Sequence, residues 1–263
     1  MLKLNNDRMT HYRNKAQAKR ETGLSYLGGI NTSSKIAKGL KYDEMTYILY
    51  LAPAKSSGYE VCPMRSDECT TACLNESGHN RIDIHENTIN KARITKTKLF
   101  FEQRAFFMGW LQDEIRSAQR KAQAAGKSFS VRLNGTSDLS PEQFHLDGKN
   151  ILELFPDVQF YDYTKVFKRI QLAKKYSNYD ITFSFSGNNI AESLLALEQE
   201  IRVAVVFEEV PAQYWGVPVV DGDAYDMRYQ DPGKVVIGLK YKKVRNKIDL
   251  SKNKFIVSKE NIL

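Results

Sequence analysis

Short apolar runs recur along this chain, and the first is MTYILYLAPA at 45–54, where β-branched, aromatic and leucine residues are closed off by a proline. Seven more come after it: KSFSVRL (127–133), VQFYDYT (158–164), DITFSFS (180–186), RVAVVF (202–207), VPVV (217–220), KVVIGLK (234–240) and KFIVS (254–258). The first reads as a buried strand, and the others have the length of strands. The long stretch from Thr88 to Ala125 is different. Ile89, Ala92, Leu99, Phe106, Trp110, Ile115 and Ala118 recur there with helical spacing, an apolar stripe on one or two helices that Gly126 can end. Phe100, Phe101, Phe106 and Phe107 belong to that stripe and read as core. Helix-length segments also lie at 151–155, 163–176 and 188–200.

Strands that alternate with helices over this length predict a mostly parallel sheet, either open and doubly wound or curled. Eight candidate strands favour the curled form, a TIM-barrel-like (β/α) barrel, and in both forms the ligand site lies at the carboxyl ends of the strands. Residues 1–44 are rich in Lys, Arg, Asn, Gly and Ser, with only weak apolar periodicity near Asn14–Thr22, and predict a basic arm or cover. No internal repeat or linker divides the remainder of the chain, so residues 45–263 are expected to form a single domain.

Between the first strand and the helical stretch stands YEVCPMRSDECTTAC (59–73), which holds all three cysteines of the chain, Cys62, Cys69 and Cys73, spaced Cys-x6-Cys-x3-Cys. Three soft thiolates within twelve residues suit a [4Fe–4S] cluster that keeps one iron free of cysteine. Their number is odd and their placement too clustered for a disulfide framework, and a reducing compartment keeps such thiols available for metal. A zinc alternative would add His79 or His85 as a fourth ligand, but structural zinc ligands usually come as two close pairs, which a six-residue gap fits badly.

Composition narrows the setting. With 42% hydrophobic and 27% charged residues the chain is an ordinary globular protein, and it contains neither an eighteen-residue apolar run nor a signal-like start, so a cytoplasmic location without membrane insertion is expected. A net charge of +8 permits attraction to nucleic acid or to a small anion and selects neither.

The polar residues just beyond the runs should face the end of the sheet that carries the cysteine loop. Arg132, Asn134 and Asp138 belong to the end of the second run, Lys165 to the third and Lys240 to the seventh; these are the candidates to orient a small anionic ligand or substrate at the open iron. Asp221, Asp223 and Asp226 suit a hard cation by residue type, but they lack the regular spacing of a known cation loop, and caps and salt bridges account for them better.

LAPAKSSGYEVCP, CTTACLNESG, ARITKTKLFFEQR, VRLNGTSDLS, FYDYTK, ITFSFSGNN, VAVVF, VVDGD and VIGLK stand in this order in the chain. Together they resemble the phage and plasmid family called gene product 88, over about Leu24 to Tyr241. The resemblance implies a protein acting inside a bacterial host, with cluster ligation by Cys62, Cys69 and Cys73. The layout is also distantly similar to radical S-adenosylmethionine enzymes. There a three-cysteine loop comes after the first strand of a partial barrel and a glycine-rich turn, here Asn134-Gly135-Thr136, after the second. Their usual spacing is Cys-x3-Cys-x2-Cys, from which this chain departs. Three functions are therefore expected to compete: a cluster protein binding a small ligand at its open iron, a radical enzyme requiring S-adenosylmethionine, and a basic nucleic-acid-binding protein with a structural metal.

Overall fold

The structure, a computed structural model, describes residues 14–30, 40–73, 88–242, 248–250 and 252–261. It is a mixed α/β protein with a mostly parallel sheet, and all eight apolar runs carry a strand. The chain divides into two compact units, Met1–Val61 with Thr88–Phe160, and Cys62–Asn87 with Tyr161–Leu263.

The first unit contains β1 (Gly28–Gly29), β2 (Glu44–Leu49), β3 (Ser128–Arg132), the small hairpin of β4 (His145–Leu146) and β5 (Lys149–Asn150), and the first residues of β6 (Gln159–Thr164). β2 and β3 pair in parallel from Glu44 opposite Ser128 to Ile48 opposite Arg132, and β3 pairs in parallel with β6 at Ser130 and Val131. The free edge of β2 is taken by β1, antiparallel, with Gly28 opposite Leu49.

β1 covers only the end of the outer edge of β2, at Ile48 and Leu49, and the strand order ends there, so the expected barrel is not closed. The sheet is open. The anchor is Glu114, buried on the helix Arg104–Ala124, whose carboxylate accepts hydrogen bonds from the amides of Leu27 and Gly28 and from the Tyr47 hydroxyl, the last at 2.7 Å. Burial and this carboxylate together raise the Tyr47 phenol well above its ordinary range.

The helical stretch resolves into Thr88–Glu102 and Arg104–Ala124, interrupted at Gln103. Phe106, Phe107, Trp110, Leu111 and Ile115 are buried, and Phe100 packs edge-on to Phe107 and tilted against Phe144. Phe100, Phe106 and Phe107 are core, as their spacing predicts, each contributing about 1.5–3 kcal/mol by leaving water, whereas Phe101 is only half-buried.

In the second unit the strand order is β6, β7 (Tyr179–Ser184), β8 (Val203–Phe207), β11 (Val236–Lys240), β10 (Val217–Asp221), β9 (Gln213–Tyr214). β8 pairs in parallel with β7 and β11, and β11 with β10; β9 turns back antiparallel on β10 at the edge. One face of β7 and β8 packs Phe183, Phe185, Val203, Val205 and Phe207 against Ile170, Ala196 and Leu197 from the helices.

The segment 163–176 yields only the short helix Arg169–Ala173. The Thr164 hydroxyl accepts the amide of Val166 at 3.0 Å, a local turn that competes with helix immediately after the strand.

The last strand, β12 (Ile256–Val257), takes a position that no local pattern predicts. β11 holds one edge of β8 along its whole length, whereas β7 holds the other at Val203 and Ala204. β12 pairs in parallel with Val206 and Phe207, so it fills the gap left where β7 diverges from β8.

Candidate functional site

Each half of the expected site is built by its own unit. In the first, the chain leaving β2 is held by the loop after β3. The amide of Gly135 donates to the Leu49 carbonyl at 3.0 Å, the Thr136 hydroxyl to the Leu51 carbonyl, and the amide of Asp138 to the Val61 carbonyl at 2.7 Å. Gly135 has to be glycine for this. A Cβ there would lie 2.6 Å from the Tyr50 ring and 2.8 Å from the Leu49 carbonyl.

Asn134, 2% exposed, braces the loop from inside. Its Nδ2 donates to the Leu139 carbonyl at 2.9 Å, and its Oδ1 accepts from the Leu139 amide and the Ser137 hydroxyl, both at 2.8 Å. Asn134 and Asp138 thereby fix Val61, the residue before Cys62. Tyr59 lies stacked on Phe101, ring centroids 4.5 Å apart, and donates its hydroxyl to Glu102 at 3.0 Å, which raises its phenol pKa. Arg132 sits half-buried at the end of β3, opposite Ile48.

The cysteines belong to the second unit. A turn from the Cys62 carbonyl to the Arg65 amide, 3.2 Å, leads to the short helix Asp67–Thr71, which carries Cys69. Asp67 and Glu68 stand in its first turn, where acidic side chains suit the helix dipole. Cys73 comes one turn later, its amide donating to Thr70 at 3.2 Å. All three thiols are half-buried and none is in a disulfide.

Ser66 ties this loop to the sheet. Its hydroxyl caps the helix, accepting the Cys69 amide at 3.0 Å, and donates to the Ser186 carbonyl at 2.6 Å. Ser186 lies just beyond the end of β7, so the cysteine loop is docked at the carboxyl end of that strand.

Two neighbours complete this corner. Lys165, half-buried after β6, donates to the Ser184 hydroxyl at 3.1 Å and lies over the Phe255 ring, 5.6 Å from its centroid. Gly187, with a φ of 92°, rests against the backbone of the C-terminal segment; a Cβ there would approach Lys254 and Phe255 backbone atoms to 2.9 Å. Only glycine meets both requirements.

The remaining candidates lie elsewhere. Lys240 is exposed at the end of β11, its amide bonded to Asp223 at 2.9 Å. Asp223 also pairs with Lys242 at 3.1 Å, while Asp226 is buried and accepts the Tyr161 hydroxyl at 3.1 Å. The aspartates are thus dispersed into caps and pairs. Among the described residues, no three His, Cys, Asp or Glu side chains are gathered as a ready cation site. His79 and His85, considered for zinc, lie outside the described residues.

Lys165, Ser184, Ser186 and the cysteine loop therefore share a unit, whereas Arg132, Asn134 and Asp138 belong to the other. Sequence reasoning missed Ser66 and Phe255. A serine three residues before Cys69 and just ahead of two acids is a helix-start signal, and it was the one available clue.

The Gene product 88 family profile matches residues 6–257, almost the whole chain including β12. The chain belongs to the Gene product 88 family. A comparison with curated proteins and with solved structures found no match. Membership covers both units and the C-terminal segment, which the motif resemblance, ending near Tyr241, leaves out. No helix among the described residues is long and apolar enough to cross a membrane.

Proposed function

We propose that this Gene product 88 protein holds a [4Fe–4S] cluster with Cys62, Cys69 and Cys73, leaving one iron open to a small ligand. The observation that carries the reading is the docking of the cysteine loop by Ser66 at the carboxyl end of β7, where parallel sheets place their ligands. The donor set fits in its chemistry: three half-buried thiols, none in a disulfide, within twelve residues. It is not gathered in advance, so the sulfurs converge as the cluster is inserted, in keeping with metal sites that are completed by their metal.

The bound cluster would supply a Lewis-acidic iron. The chain's own residues do the rest. Ser66 sets the direction of the loop, Lys165 places a cation beside the end of β7, and Asn134 with Asp138 fixes the chain entering Cys62. Oxygen-free purification and reconstitution should give about four iron and four sulfide per chain with absorption near about 400 nm. Serine at the three cysteine positions should abolish both. Zinc in place of iron, or no metal after reconstitution, overturns the proposal.

One observation favours a second reading as a radical S-adenosylmethionine-like enzyme. The strands from β2 to β8 succeed one another in chain order within each unit, as in a partial barrel, and the cysteine loop and the Gly135 turn come after the first and second of the parallel strands. S-adenosylmethionine added to the reduced, cluster-loaded protein should then release deoxyadenosine; no release leaves the open-iron reading alone in place.

A further inference from the structure

The helix Thr88–Glu102 buries two cations one turn apart, Arg93 at 9% exposure and Lys96 at 6%. Neither belongs to the cysteine corner. The Arg93 guanidinium lies over the Tyr50 ring at 5.1 Å, and the Lys96 ammonium over the Tyr26 ring at 4.9 Å. Lys96 has no carboxylate or carbonyl within bonding distance among the described residues. Glu114 acts on it through space while its oxygens receive the amides of Leu27 and Gly28 and the Tyr47 hydroxyl. A buried ammonium that meets only a ring among the described residues is an unusual expense for a fold, and buried lysines of this kind are the ones that serve as amine nucleophiles.

We propose that Lys96 is an imine-forming amine for a small anionic carbonyl compound, an aldehyde or 2-oxo acid, which reaches it when the Tyr26 ring swings aside. The geometry names each part. Tyr26 is itself 56% exposed while Leu24 and Leu27 on either side are buried, so its ring is the exposed part of what lies over the amine. Arg93, one helical turn away with its guanidinium over the Tyr50 ring, adds positive charge on the same helix, which favours an anionic compound. Burial, reinforced by Arg93 and opposed by Glu114, lowers the Lys96 pKa to about 8. About a tenth of it is then neutral at pH 7, against roughly one part in several thousand for an ordinary lysine. The neutral amine adds to the carbonyl carbon; the resulting carbinolamine takes a proton and loses water, leaving the carbon–nitrogen double bond.

The test uses the full chain and is independent of the cluster. Pyridoxal 5′-phosphate or glyoxylate is added at about pH 8, the imine is reduced with borohydride, and the labelled lysines are mapped by mass spectrometry. Lys96 should be labelled about tenfold faster than Lys98, an exposed lysine on the same helix. Tyr26→Ala should speed Lys96 labelling several-fold without changing Lys98. Arg93→Met should slow labelling by the anionic probes more than labelling by acetaldehyde, which loses only what a higher Lys96 pKa costs it. Lys96 labelled no faster than Lys98, or at a rate indifferent to Tyr26→Ala, overturns the proposal; iron content measured on the same samples bears only on the cysteines.

Discussion

Replacing Lys96 by methionine should make this protein more stable at neutral pH, and the gain should vanish in alkali. The side chain is 6% exposed, and its pKa falls from 10.5 to about 8, chiefly because burial penalises the charge. A difference of two to three units, at about 1.36 kcal/mol each, puts the cost of keeping the ammonium folded near about 3 kcal/mol at pH 7. The contact with Tyr26 returns about 1 kcal/mol of it, so Lys96→Met should gain about 2 kcal/mol. Methionine is unbranched and of similar length, which keeps the packing. Proton uptake sets the sign. Between about pH 8 and 10.5 the unfolded chain binds more protons at this site than the folded one, so the wild type gains stability as pH rises through that window and loses it as pH falls. Denaturant unfolding of both proteins at pH 7 and again near pH 10 removes every other titrating group from the comparison. A destabilised variant at pH 7, or a gap that is the same at both pH values, would show that the lysine is held by contacts other than the Tyr26 ring.

Three further substitutions probe the supports of the site. Glu114→Gln keeps the shape but turns an amide donor toward groups that donate, so denaturant unfolding should show a loss of about 1–3 kcal/mol and protease should cut the N-terminal segment near Gly28 faster. Ser66→Ala removes the cap on Cys69 and the bond to Ser186; about 1 kcal/mol of stability should go, and iron retained after gel filtration should fall below wild type, whereas unchanged retention means the docking does not serve the cysteines. Gly187→Ala meets both the left-handed backbone and the 2.9 Å approach of Lys254 and Phe255, so it should cost more than about 2 kcal/mol in thermal unfolding and release the segment after Asn253 to protease.

The long strands were legible because each is a run of apolar residues, and burial on both faces leaves that mark wherever helices cover a parallel sheet. The pieces that decide the architecture left no such mark. β1 is two glycines, and its place on the edge of β2 depends on Glu114, a charged residue on a helix more than eighty positions away. The interruption at Gln103 was invisible for a similar reason, since the apolar stripe continues on both sides of it. β12 is visible as a run, KFIVS, but its position beside Val206 results from the divergence of β7, which no local pattern encodes.

The site shows the same asymmetry from the side of chemistry. Residue type predicts what a side chain can do and says little about what already occupies it. Asn134 reads as a donor and acceptor for a ligand, yet both ends of its amide close the loop from Ser137 to Leu139, and its contribution to any ligand passes through the placement of Val61. Asp223 reads as a cation ligand and instead holds the amide of Lys240 and the ammonium of Lys242. Lys96, by contrast, reads as one more polar position on a helix of mixed composition. Only its burial, with an aromatic ring where a counter-ion would be expected, singles it out. In a protein with 39 basic residues, net charge is a poor guide to function, and the informative cations are the few that the fold keeps away from water.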